Sequence, residues 1–206
     1  SSDLLPVVKG PVMVHHVPRF LSLQRGLGEA KIALLVFDGL AVDQWVQIRE
    51  IMAKRAPTLG FEENTCFAWL PTLTSVSRQA IFSGLKPREF AETIESTSAE
   101  PSQWSRFWQD QGLRANEVVY RKGIKRRDQL TELGTDLSVS SIKVAGIVVD
   151  MVDEIVHGAM LGKRGIATQI EDWCESGFVD QFFHIIGQCT FEPQLFAGNR
   201  VDEPQH

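Results

Sequence analysis

The chain has 206 residues, 43% hydrophobic and 23% charged, and a formal net charge of −5. That balance is ordinary for a globular protein, and it excludes a surface built wholly to clamp nucleic acid. Three widely spaced cysteines, Cys66, Cys174 and Cys189, form neither a disulfide framework nor a C-x-x-C knuckle; no apolar run is long enough for a membrane span and no secretion signal opens the chain, so a cytoplasmic protein with reduced thiols and no membrane partner is expected.

In chain order, residues 1–28 read as a lead-in segment broken by Pro6, Gly10, Pro11, Pro18 and Gly26, with a short helix at Arg19 to Arg25. The continuous apolar run Lys31 to Phe37 suits a strand buried on both faces, and Asp38-Gly39 ends it. Trp45, Ile48, Ile51 and Met52 then recur at helical spacing over Asp43 to Lys54. Thr65 to Leu70 is expected as a second strand, stopped by Pro71, and Val76 to Ser83 as a helix stopped by Gly84 and Pro87.

Further on, a helix is expected at Gln103 to Gln111, a short strand at Glu117 to Tyr120, and a loop at Arg121 to Arg127. Ile142 to Val149 is a second strongly strand-like run, ending at Asp150, and Ile166 to Gln188 is a long helix with a break near Gly177. Alternating strands and helices predict an α/β fold: a mostly parallel sheet with helices on both faces, filling one domain over residues 29–190. Residues 191–206, closing on the polar run Asn199 to His206, are expected to be a polar tail.

Ligands of such sheets gather beyond the carboxyl ends of the strands. Asp38 sits at one such end, where it reads as a turn-forming Asp-Gly or a metal ligand held by the strand. Thr74 or Ser75, in Pro71-Thr72-Leu73-Thr74-Ser75-Val76-Ser77-Arg78, is either a helix cap or a hydroxyl presented to phosphate at a helix N-terminus. Arg78 lies one turn beyond Thr74 and reads as a solvated side chain or a phosphate contact. Asp153 and His157, four apart after Asp150, make an oxygen–nitrogen pair of a kind zinc accepts, though D-x-x-x-H alone is a weak signal. The basic run Arg121, Lys122, Lys125, Arg126 and Arg127 is a solvated loop or a surface for a nucleic-acid backbone. His15 and His16 are read as structural, and His184 as a packed or half-exposed helix residue.

In their order along the chain, Asp38, Pro-Thr-x-Thr and D-x-x-x-H resemble the alkaline-phosphatase superfamily. Within it, the stretch PTLTSVSRQAIFSGLKP, supported by ALLVFDGLAVDQW and VVDMVDEIVHG, resembles the PglZ domain of BREX phage-defence systems. The resemblance covers residues 31 to 190 and implies an alkaline-phosphatase-like fold. It also implies a metal-dependent phosphatase or phosphodiesterase: Asp38 and Thr74 bind one divalent ion, Asp153 and His157 a second, zinc being the expected metal. Thr74 is then the nucleophile, passing through a phosphothreonine, and Arg78 contacts the substrate.

The family pattern continues with an Asp-His motif, whereas this sequence contains no Asp-His dipeptide. A domain truncated at its C-terminus, weakly metal-binding and weakly active, is therefore expected, with His184 the first suspect should other residues complete the site. The alternative is a non-catalytic α/β interaction module working among other proteins of a multiprotein defence complex.

Overall fold

The structure, a computed structural model, describes residues 11–26, 30–55, 63–152, 155 and 162–197. Among them lie strands β1 (Lys31–Phe37), β2 (Val118–Ile124), β3 (Val144–Val149) and β4 (Phe191–Ala197). They form one all-parallel sheet in the order β2-β3-β1-β4.

Each central strand is apolar without interruption because both faces of the sheet are covered. Ala33, Leu35 and Phe37 of β1 and Ala145, Ile147 and Val149 of β3 face one layer. That layer holds helices α2 (Val42–Arg55), α5 (Arg127–Leu137), α6 (Gly162–Glu175) and α7 (Phe178–Gln188). The alternate residues Ile32, Leu34, Val36, Val144 and Val148 face the other layer, made by α1 (Val17–Gly26), α3 (Thr74–Ser83) and α4 (Glu100–Asp110). The period-two alternation of a strand thus feeds two separate cores. The expected α/β architecture, with a parallel sheet between helical layers, is the one found.

Trp104 of α4 lies fully buried against the sheet, its indole N–H donating to the Val119 carbonyl at 3.1 Å. Gly146 of β3 makes room for it. A Cβ at that position would stand 2.9 Å from Trp104 and 3.1 Å from Phe82. A second glycine, Gly177, adopts φ +80° and divides what the sequence suggests is one helix into α6 and α7.

Four expectations need correction. Thr65 to Leu70 is not a strand: Phe67 makes a single parallel bridge with Met13, and the side chains of Phe67 and Leu70 are exposed rather than half-buried. The strand expected at Glu117 to Tyr120 runs on to Ile124, with a register irregularity between Arg121 and Ile124. Helix α5 begins inside the basic run, and its buried stripe Leu130, Leu133 and Leu137 was obscured by the arginines before it. Residues 191–197, expected within the polar tail, form β4 beside β1; Phe191 is buried, and Pro193 is tolerated because β4 is an edge strand of the described sheet.

Candidate active site at the carboxyl edge of the sheet

In the register Phe37↔Val149, β1 and β3 end side by side, and each is followed at once by an aspartate. The Asp38 N–H donates to the Val149 carbonyl at 3.0 Å, and the Asp150 N–H to the Ile124 carbonyl at 3.2 Å. The sheet itself therefore sets Asp38 and Asp150 on one edge, on adjacent strands.

Helix α3 delivers a cation to that edge. Arg78 is 7% exposed, so it is no solvated arginine. Its Nη1 donates to Asp38 Oδ2 at 2.9 Å and lies 3.7 Å from Asp150 Oδ1. On the opposite side, Nε and Nη2 donate to the two carboxylate oxygens of Glu100 at 2.9 and 2.7 Å, a bidentate pair. Glu100, in the first turn of α4, is fully buried and also accepts from the Tyr120 hydroxyl. Burial is the largest influence on Arg78 and opposes its charge, but Glu100, Tyr120 and Asp38 together outweigh it and the net direction is upward. Burial, then the Glu100 charge, pushes the Tyr120 phenol well above its usual range, so it stays protonated as a donor.

Thr74 opens α3, one turn before Arg78 on the same stripe of the helix. The residue at the cap position is Leu73, which supplies no side-chain cap. Neither Thr74 nor Ser75 is spent on capping, and the first amide groups of α3 are left by Leu73 for other acceptors. Thr74 is exposed and Ser75 half-buried. Asp153 and His157 lie outside the described residues. Among the described residues no group of three His, Cys, Asp or Glu side chains is arranged to hold a metal ion.

Sequence reasoning missed Glu100 and Tyr120. A signal existed only indirectly: an arginine on a helix that buries Val76, Ala80, Ile81 and Phe82 requires a carboxylate partner, but nothing along the chain says which one.

His184 is exposed on α7, and α7 runs directly into the start of β4, so its C-terminal end lies at the amino edge of the sheet, away from Asp38. The basic run is no loop: Arg121 pairs with Asp136 at 2.6 Å, Lys122 donates to the Thr97 carbonyl at 3.2 Å, and Arg127 donates to Gln181 at 3.0 Å. Burial raises the thiols of Cys66 and Cys174 to about 11. Such thiols are inert rather than nucleophilic.

The family model for the BREX system PglZ alkaline phosphatase-like domain matches residues 21–189. The chain belongs to the PglZ family. That match takes in both central strands, the Pro-Thr-x-Thr segment and the whole Arg78 network. No curated protein matches the chain. Among the described residues of this PglZ domain, no helix is long and apolar enough to cross a membrane.

Proposed function

We propose that this PglZ domain carries a phosphatase or phosphodiesterase site at the carboxyl edge of its sheet, with Thr74 as nucleophile, in a cytoplasmic phage-defence assembly. The observation that supports it most is the Arg78–Asp38 bond, which ties the helix opened by Thr74 to the aspartate ending β1. The donors suit a divalent cation in kind: Asp38 and Asp150 carry carboxylates at adjacent strand ends, and Thr74 carries a hydroxyl at the start of α3. Asp38 and Thr74 would hold one ion, and Asp153 and His157 the second, with zinc the expected metal. A bound ion would lower the pKa of the threonine hydroxyl and stabilise charge on the phosphoryl oxygens.

The protein's own part is positional. The first turn of α3, left without a side-chain cap by Leu73, would offer its amide groups and the positive end of the helix dipole to an incoming phosphoester. The rigid strand end keeps the Asp38 carboxylate beside it. With two protein ligands assigned to each ion, below the three usual at catalytic zinc, weak binding and slow turnover are expected.

Calorimetric titration with zinc and an assay on a chromogenic phosphodiester test the reading. Slow metal-dependent turnover is expected, lost in Thr74→Ala and largely kept in Ser75→Ala. Equal loss in both variants would mean that the hydroxyl is misassigned. Neither zinc binding nor turnover would favour a non-catalytic module contacting other defence proteins.

A further inference from the structure

We propose that Glu100 and Tyr120 are positioning residues that fix Arg78 in place, and that Arg78 in turn holds the Asp38 carboxylate rather than clamping the substrate. The inference deepens the phosphoesterase reading and takes its catalytic meaning from it, but the network stands on geometry alone.

A guanidinium has five N–H groups in a fixed fork and no acceptor. In this domain Nε points to Glu100 Oε1, Nη2 to Glu100 Oε2 with the Tyr120 hydroxyl oxygen 3.5 Å away, and Nη1 to Asp38 Oδ2 with Asp150 at 3.7 Å. Each of its three nitrogens thus faces a protein oxygen. A phosphate clamp presents its fork to the site, as bidentate recognition of a planar or tetrahedral oxyanion requires. Here the Nε–Nη2 side of the fork is turned inward, onto a carboxylate with no exposure at all.

The anchor is also built to persist. Glu100 lies at the N-terminus of α4, where the helix dipole favours a carboxylate. Tyr120, on β2 next to β3, donates its hydroxyl to the same carboxylate, and its ring packs edge-on to Phe82 with centroids 5.0 Å apart. Glu100 and Tyr120 therefore join α4 and β2 to α3, and Nη1 of Arg78 is the contact through which that frame reaches β1. Among the described residues neither Glu100 nor Tyr120 hydrogen-bonds to Asp38, whereas Arg78 bonds to both Glu100 and Asp38, so their hold on that carboxylate passes through the guanidinium.

The test uses the full chain, carbon- and nitrogen-isotope labelled, and needs neither metal nor turnover. Two nuclear resonances are followed: the Arg78 Nε–H, assigned by its loss in Arg78→Lys, and the side-chain carboxyl carbon of Asp38. In Glu100→Gln, hydrogen exchange at Arg78 Nε is expected to rise roughly tenfold or more, the loss that one charge-assisted bond implies. The Asp38 carboxyl carbon should shift in the same variant, and Tyr120→Phe should give smaller changes of the same kind.

Inorganic phosphate at high concentration is expected to leave the Arg78 Nε–H where it is. An Asp38 carbon unmoved in folded Glu100→Gln overturns the proposal, as does a saturable shift of the Arg78 signal with phosphate. Should Glu100→Gln fail to fold, Tyr120→Phe reads the same two signals and decides. Success of these measurements with no phosphoesterase activity would sink the catalytic reading while leaving the network intact.

Discussion

Among the described residues of this PglZ domain two glutamates are almost wholly buried, and they sit at opposite edges of one sheet. Glu100 lies at the carboxyl edge and its partners, Arg78 and Tyr120, are themselves largely buried. Glu117 lies at the amino edge, just before β2. It accepts from Lys143 Nζ at 2.7 Å and from the Arg114 N–H at 2.7 Å, and both cationic side chains reach out to water. Glu117 ties the first residues of β2 to those of β3, where the Lys143 N–H also donates to the Glu117 carbonyl at 2.8 Å. A buried carboxylate is therefore no sign of chemistry by itself. What distinguishes Glu100 is a buried cation that leads on to the aspartate of a strand end.

The sharpest way to break the comparison is to delete each cation. Arg78→Met strands Glu100 without a counter-charge, and urea denaturation should show a loss of about 3–5 kcal/mol, the usual consequence of splitting a buried pair. Adding Glu100→Leu to that variant should recover part of the loss, since an apolar pair avoids the desolvation cost. Lys143→Met should cost much less, because Arg114 and a backbone amide still serve Glu117. Equal losses at the two edges would erase the distinction.

A second change perturbs one edge alone. Gly146→Ala drives a Cβ into Trp104 and Phe82, and Phe82 packs on Tyr120. Overpacking of this kind costs about 1–3 kcal/mol. The melting temperature should fall, and the Tyr120–Glu100 contact should loosen while the acid behaviour of Glu117 stays as it was.

Acid titration sharpens the other edge. Lys143 first, then the Arg114 amide, holds the Glu117 carboxyl down to about 2, against an ordinary value of 4.5. A depressed carboxylate contributes stability that is complete above its unfolded pKa and is lost as pH falls toward the folded one. The melting temperatures of the parent and Glu117→Gln should therefore differ near neutrality and converge between about 4.5 and 2.

The smallest effect is expected at His15, which belongs to neither edge network. Burial, then His16 and nearby cations, lowers its pKa from 6.5 to about 4, and its ring packs 5.2 Å from that of Trp69. The unfolded chain binds the proton first, so stability should decline as pH drops from 6.5 to about 4. His15→Asn should flatten that decline without touching the acid limb of Glu117.

Much of the frame was legible because its signals are local. Both central strands, the break at Gly177 and the helix that follows Pro-Thr-x-Thr follow from apolar runs and glycines close together in sequence. The strand at 191–197 was not legible, because a short run interrupted by Pro193 between polar residues looks like a tail until β1 is there to pair with it. Asp38 was visible as the residue that ends a strand, and Thr74 as the residue that opens a helix. Glu100 was not, because its role exists only once α4 is packed against α3, 22 positions from Arg78.

Tyr120 has one further consequence. It is the only tyrosine in the chain, so all phenolate absorbance comes from this one hydroxyl. While the fold persists the ring keeps its proton beyond the pH at which a free tyrosine ionises. Phenolate absorbance rising on a jump to alkaline pH therefore clocks the opening of the Arg78 network, with a probe the protein already carries.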